Sequence, residues 1–186
     1  MLFRSDQQTQ KVRDLLEKYR TVFAIDPLSP NVYDGPPFTL PMEDGAIPVK
    51  QRSRPFTPPM KAEIKKHIEL MLEHKVIEPS VSPWASPVVL ARKKNGDWRF
   101  CVDLRIVNSL TRKDAYPLPR IDETLDTLGT KKAKVFSTLD LASGYWHIPV
   151  AEEHRERSAF TTGDGLYQFC KMPLASQVRQ AVSAVH

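Results

Sequence analysis

The run from Phe136 to Trp146, FSTLDLASGYW, places one carboxylate, Asp140, at the end of an apolar stretch and follows it with a Gly-Tyr pair. Val135, Leu139 and Leu141 fall on one face of a period-two strand, so Asp140 lies on the opposite face. A carboxylate there either binds a hard cation such as Mg²⁺, which prefers oxygen ligands, or caps the backbone of the next turn. The spacing alone leaves both interpretations open.

A second chemically informative element is a pair of cations around a predicted hairpin. The strand-like runs Val88–Arg92 and Trp98–Leu104 flank Asn95-Gly96, which is a strong short-range hairpin signal. Lys93 and Arg99 then lie on opposite arms, where they can close over an anionic ligand. Arg grips phosphate oxygens with two hydrogen bonds, whereas Lys acts as a point charge. The alternative is a solvated hairpin tip with no ligand.

The remaining pattern predicts the elements that position these residues. Apolar residues at helical spacing predict a helix from Ser5 to Arg20, a second from Thr57 to Val76, and a third that begins at Pro119 and closes at Gly129. Clustered prolines predict that Asp26–Pro59 is largely an extended linker. A further hairpin is expected to turn at 163–165. This mixed order of helices and strands predicts an α+β fold.

Single residues carry smaller predictions. Asp103 and Arg105 lie two apart on a strand, which favours a local ion pair, and Asn108 is expected to turn the chain. The two cysteines, Cys101 and Cys170, have no metal-site spacing and are predicted to be reduced in strands. His67 and His74, on the second helix, are predicted to be solvated.

Composition and charge narrow the class of protein. The chain has 186 residues, of which 41% are hydrophobic, and a net charge of +5. Residues 47–173 carry 21 Lys+Arg and 15 Asp+Glu, so they contain the basic surplus. That surplus suits a surface that meets phosphates, although solubility alone also accounts for it. No run reaches the ~18 apolar residues of a membrane span, and there is no secretory signal, so we expect a cytoplasmic or nuclear location.

Four motifs occur in a fixed order along the chain. They are SPWASPVVLARKKNGDWRFCVDLRIVN (82–108), DAYPLPRIDETLDTLG (114–129), FSTLDLASGYW (136–146) and SAFTTGDGLYQFCKMP (158–173). Together they closely resemble the reverse transcriptase of gypsy-type LTR retrotransposons, and the resemblance covers Ile47–Pro173. It implies a right-hand polymerase, an RNA-directed DNA polymerase, whose fingers and first palm segment are in this chain. Residues 1–46 are then an inter-domain leader with a helix and a Pro-rich linker, and 174–186 form a divergent tail.

The resemblance also implies roles for particular residues. Asp140 matches the first catalytic carboxylate and would bind Mg²⁺. Lys93 and Arg99 match the fingers residues that contact the triphosphate of the incoming dNTP, with Lys94 as a one-residue alternative to Lys93. Tyr145 matches the aromatic that stacks under the nucleotide sugar and excludes a 2′-hydroxyl.

Two further positions inherit a role, and Tyr145 keeps an alternative one. Leu141 and Ala142 match the residues whose backbone groups lie near the triphosphate. From its residue type alone, Tyr145 is equally a core ring with a satisfied hydroxyl.

The sequence departs from the family after Met172-Pro173. The family continues with Phe-Gly-Leu and reaches a Tyr-x-Asp-Asp hairpin that bears the other two catalytic carboxylates. Here the sequence reads LASQVRQAVSAVH, and no Asp-Asp pair occurs in the 186 residues. We therefore expect a truncated reverse transcriptase domain that is inactive alone, with the missing palm supplied by the rest of a polyprotein and an RNA or DNA primer-template as partner. The alternatives are a noncatalytic nucleic-acid-binding remnant or a decayed reading frame.

Overall fold

Helices and short strands alternate along the chain in the computed structural model, which describes residues 6–20, 34–94, 96–113, 120–130 and 144–173. The α-helices are α1 (Asp6–Lys18), α2 (Pro58–Glu73), α3 (Arg105–Leu110) and α4 (Ile121–Thr130). The strands are β1 (Ile77–Pro79), β2 (Ser86–Arg92), β3 (Trp98–Val102), β4 (Phe160–Thr161) and β5 (Leu166–Phe169). Two 3₁₀ helices cover Gly144–His147 and Glu152–Ser158. This content confirms the α+β prediction.

The strands form a mixed sheet in the order β1-β5-β4-β2-β3. Neighbouring strands are antiparallel except for β2 and β4, which run parallel. The parallel pair matches Ser86 with Phe160, residues far apart in the chain, so β2 begins two residues before the predicted Val88. The predicted second hairpin is confirmed, because β4 and β5 are joined by a turn in which Gly163 has a φ of 93°.

Two apolar clusters hold the sheet to its helices. In the first, the apolar stripe of α2 packs on the sheet around the fully buried ring of Phe160. Phe160 lies 5.1 Å from Phe169 and 5.8 Å from Phe100, measured between ring centroids. The second cluster joins α3 to the chain that follows the first 3₁₀ helix; its buried members are Trp84, Leu104, Val107, Ile148, Ala159 and Met172.

Helix α2 ends earlier than the sequence pattern predicted. The predicted end was Val76, but the helix stops at Glu73 and Lys75 adopts a φ of 53°. The Val76 amide then donates to the Met71 carbonyl (2.8 Å), which satisfies one of the last carbonyls of the helix. This turn sends Val76 and Ile77 into the first cluster.

Helix α3 was not predicted, and helix α4 ends one residue later than predicted. Asn108 was expected to turn the chain, yet it lies inside α3, whose Val107 is buried in the second cluster. α4 includes Gly129, which was expected to close it, and ends at Thr130. Its Ile121 and Leu125 are exposed, as are Leu15 and Leu16 of α1.

The prolines of 34–57 give an irregular path, but this segment is packed on the domain. Leu40 is buried, and Phe38 forms a parallel bridge with Val150. Lys50 forms a second bridge, with Ala85. A free linker would make no such contacts; the domain boundary at residue 46 stays a prediction. In the part of the chain that the structure describes, no helix combines the length and the apolar character needed to cross a membrane.

Candidate functional site

The β2–β3 hairpin sorts its residues onto two faces. The antiparallel register pairs Leu90 with Phe100 and Ala91 with Arg99. Leu90 and Phe100 pack against the first cluster, so the alternate residues project from the opposite face. Arg99 is exposed on that outer face. The outer face of β3 therefore carries Arg99 together with Cys101.

The tip of the hairpin carries cations with no acidic partner. The Lys93 amide donates to the Asp97 carbonyl (2.7 Å), and Gly96 adopts a φ of 90°, which suits the tight turn. Lys93, Lys94 and Arg99 are exposed, and none of them forms a salt bridge with a described residue. These side chains are free to meet an anionic ligand.

At the opposite end of β3, two arginines share one carboxylate, that of Asp103. Arg105 grips Asp103 with two side-chain hydrogen bonds of 2.7 Å, from Nε to Oδ1 and from Nη2 to Oδ2. Arg54 adds a third, from Nη2 to Oδ2 at 3.1 Å. The hydrogen bond with Arg105 is the main reason why the pKa of Asp103 lies below its usual value. The predicted Asp103–Arg105 pair is confirmed, but its predicted place on a strand was wrong, because β3 ends at Val102 and Arg105 begins α3. Arg54, 49 residues from Asp103, gave no local signal.

A cavity of about 330 Å³ opens on the outer face of the hairpin. Its floor includes Val89 and Cys101, a cross-strand pair on the face that also carries Arg99. The rest of its wall comes from Arg54, Val102, Asp103, Leu104, Arg105 and Asn108. The cavity therefore combines apolar side chains with three charged groups, Arg54, Asp103 and Arg105, that already bind one another.

Tyr145 connects this region to the second cluster. It lies in the 3₁₀ helix Gly144–His147, is half-buried, and packs against the cluster that contains Leu104. Leu104 also lines the cavity, so the two features share one side chain. This packing suits the core-ring interpretation of Tyr145, whose side chain is only partly buried.

His67 supports the hairpin from α2, which the sequence did not indicate. It was predicted to be solvated, but its ring lies 5.6 Å from that of Phe100, and its Nε2 atom is 3.3 Å from Glu63 Oε1. Burial lowers the pKa of His67, with further lowering by Lys66 and Lys93 and an opposing effect of Glu63. The only available sequence signal was the i, i+4 spacing of Glu63 and His67.

The predicted residues Asp140, Leu141 and Ala142 lie outside the described residues. Among the described residues, no three His, Cys, Asp or Glu side chains come together as a metal site. Both cysteines are free. The prediction that both lie in strands holds for Cys101 but is wrong for Cys170, which directly follows the last residue of β5. Cys101 lies in β3, and burial raises the pKa of the Cys170 thiol to about 11, so Cys170 stays protonated at neutral pH.

Comparison with known proteins gives one consistent class. Residues 91–180 match the sequence profile of the family "Reverse transcriptase (RNA-dependent DNA polymerase)". The crystal structure of the prototype foamy virus protease-reverse transcriptase superposes with a TM-score of 0.74, covering 96% of this chain and 24% of that one. At 24% identity this similarity shows the fold alone, which is that of part of the foamy virus chain.

The retrotransposon relatives define the family more narrowly. The chain is 40% identical over 122 residues to the Pol polyprotein of transposon 412 from Drosophila melanogaster, covering 62% of this chain and 10% of the relative. It is 38% identical over 132 residues to the Pol polyprotein of transposon gypsy from the same organism, covering 68% of this chain and 13% of the relative. The chain belongs to the reverse transcriptases of gypsy-type retrotransposon polyproteins, and it spans a small part of the length of these relatives.

Proposed function

We propose that this chain forms the nucleotide-contacting fingers and the first palm segment of an RNA-directed DNA polymerase. The observation that carries the proposal is the group of cations at the hairpin tip. Lys93, Lys94 and Arg99 are exposed there and form no salt bridge with a described residue, and Arg99 shares a face with an open cavity. In this role Arg99 donates hydrogen bonds to the triphosphate of the incoming dNTP, while Lys93 supplies a point charge. Lys94 is the alternative to Lys93.

The catalytic part of the proposal concerns Asp140. Reverse transcriptases as a family use a divalent metal ion, and carboxylate oxygen is the ligand that Mg²⁺ prefers. Asp140 would hold this ion, which when bound neutralises charge that develops on the phosphate oxygens. Leu141 and Ala142, directly after it, would donate backbone N–H groups toward the triphosphate.

Tyr145 would select the sugar of the nucleotide. Packing against the second cluster fixes one side of its ring, which is what a steric wall under the deoxyribose requires. The reaction is attack of a primer 3′-hydroxyl on the α-phosphate of a dNTP, with pyrophosphate leaving. The template is RNA or DNA; the foamy viral protease-reverse transcriptase has been solved with double-stranded DNA and with an RNA/DNA hybrid.

The experiment joins this chain, after Met172-Pro173, to the following palm segment of a gypsy-type relative and measures primer extension. We expect extension with Mg²⁺ that falls to background in Asp140→Asn, because the carboxylate charge is lost while the side-chain shape is kept. Tyr145→Ala should retain extension and incorporate more ribonucleotide, because it removes a wall rather than a charge.

Two controls sharpen this test. The 186-residue chain alone has one of the carboxylates of the family, so it should not extend a primer. His74→Asn, at the end of α2, should extend at the parental rate. Extension by Asp140→Asn at the parental rate would refute the catalytic assignment. Nucleic-acid binding without extension by the joined protein would favour the noncatalytic module.

A further inference from the structure

Residues 38–44 form a strap across the second cluster, and they connect two parts of the domain. At one end, the Phe38 amide donates to the Pro149 carbonyl (2.8 Å), and the Ala151 amide donates back to Phe38 (2.9 Å). At the other end, the Glu43 amide donates to the Leu110 carbonyl (2.8 Å) at the end of α3. The strap therefore ties α3 to the chain that follows Tyr145.

The centre of the strap is held by two side chains of the 3₁₀ helix Glu152–Ser158. The backbone N–H of Leu40 donates to His154 Nδ1 (3.0 Å), and its carbonyl accepts a hydrogen bond from Arg157 Nη1. Leu40 is only 3% exposed. Both backbone polar groups of one buried residue thus depend on these two side chains.

The contact with His154 fixes its protonation state. A ring nitrogen accepts a hydrogen bond only in the neutral form, so Nδ1 must be unprotonated and the proton must lie on Nε2. Burial lowers the pKa of His154 from its ordinary value, Arg157 lowers it further, and Glu153 opposes them. Protonation of Nδ1 would set two donors, the ring N–H and the Leu40 N–H, against each other.

We infer that His154 and Arg157 form a latch on Leu40 that holds the strap at neutral pH and releases it in acid. The stability that the latch adds is complete above the ordinary histidine pKa of 6.5 and is lost as the pH falls toward the lowered pKa of the folded state. Release frees Phe38 and Met42 from the second cluster, against which Tyr145 also packs. This inference does not depend on the polymerase function.

The test is amide hydrogen exchange of the full 186-residue chain at about pH 5 and about pH 7.5, on either side of the ordinary histidine pKa, with rates corrected for intrinsic exchange. We expect the protection of the Leu40 amide to fall about tenfold or more in acid, as for loss of a buried hydrogen bond. The Cys170 amide, which donates to the Val76 carbonyl (2.9 Å), should keep its protection and so separates strap release from unfolding.

Three variants make the outcome decisive. His154→Asn keeps an acceptor that does not titrate, so Leu40 protection should become independent of pH. His154→Ala removes the acceptor and should lower Leu40 protection at both pH values, while His74→Asn should behave as the parent. ¹⁵N NMR should find the proton of His154 on Nε2 at neutral pH. Equal Leu40 protection at the two pH values in the parent, or a proton on Nδ1, would overturn the latch.

Discussion

Both ends of the β2–β3 hairpin carry basic side chains, but only those at the base have an acidic partner among the described residues. At the tip, Lys93 and Arg99 are exposed and form no salt bridge with a described residue. At the base, Arg54 and Arg105 both bind Asp103, whose side chain is only 10% exposed. Arg99 and Asp103 are nevertheless close in the chain, because Arg99 lies in β3 and Asp103 directly follows the last residue of that strand.

This difference suggests that the cations at the tip of the hairpin serve ligand binding and that those at its base serve folding. The charge of a cation that binds a carboxylate is partly compensated by it, which weakens the attraction of that cation for phosphate. An exposed cation without such a partner loses only water and side-chain entropy when it binds. The base of the hairpin fastens the 47–57 segment to β3 through Arg54, and the tip presents charge. We therefore expect substitutions at the tip to affect ligands and those at the base to affect folding.

The largest effect is expected when both tip cations are removed. In the joined polymerase, the double variant Lys93→Gln, Arg99→Gln should lower the efficiency of dNTP incorporation by about 100-fold, since hydrogen bonds to charged groups contribute about 1.5–3 kcal/mol each. Its melting temperature should stay at the parental value. Steady-state kinetics with varied dNTP and a thermal melt check both expectations. An unchanged efficiency would show that the tip does not meet the triphosphate.

A smaller effect is expected at the base. Asp103→Asn removes the charge that Arg54 and Arg105 share, and it should lower the free energy of unfolding by about 1–2 kcal/mol; solvent screening of both arginines keeps the loss modest. Urea denaturation of the full chain measures it. Asp164→Asn, at an exposed position in the turn between β4 and β5, is the matched control. A variant as stable as the parent would mean that the contacts of Asp103 with Arg54 and Arg105 do not stabilise the fold.

The stability that Asp103 contributes should also depend on pH. Because the folded-state pKa of Asp103 lies below its ordinary 3.8, its contribution to stability is present above that pH and is lost as the pH falls through the lowered pKa. The stability difference between the parent and Asp103→Asn should therefore shrink in acid. Urea midpoints of both proteins across this range are the measurement, and a constant difference would contradict the assignment.

The smallest effect concerns nonspecific binding. We expect the chain to bind a labelled primer-template with a dissociation constant of about 10⁻⁵ M or weaker at physiological salt. Each single tip substitution, Lys93→Gln or Arg99→Gln, should reduce the slope of log affinity against log salt by about 1, if that cation meets a phosphate. Asp103→Asn should leave the slope unchanged. Fluorescence titrations at several salt concentrations provide the slopes.

Local chemistry allowed several elements to be predicted from the sequence. The Asn95-Gly96 hairpin follows from the need for positive φ at its turn, and the face of β3 follows from simple alternation. The Asp103–Arg105 pair needed only a two-residue spacing. Helix α2 was correct at its start, where Pro58 fits the first turn, and three residues too long at its end.

Features that depend on distant residues could not be predicted in this way. The extra residues of β2 exist because Ser86 pairs with Phe160. The strap, residues 38–44, is held because His154 and Arg157 bind Leu40 from more than 100 residues away. α3 was missed because one buried residue, Val107, gives too weak a periodic signal in six residues. The roles of Asp140, Leu141 and Ala142 stay predictions from the family resemblance.

The central claim is that tip cations bind nucleotide and base cations hold the fold, and one paired measurement tests it most directly. The KM for dNTP and the melting temperature should be measured for Arg99→Gln and Asp103→Asn in the same joined polymerase. We predict that Arg99→Gln raises the KM by about tenfold or more without changing the melting temperature, and that Asp103→Asn lowers the melting temperature with the KM unchanged. The reverse pattern, or equal effects of the two substitutions on both quantities, would contradict the account.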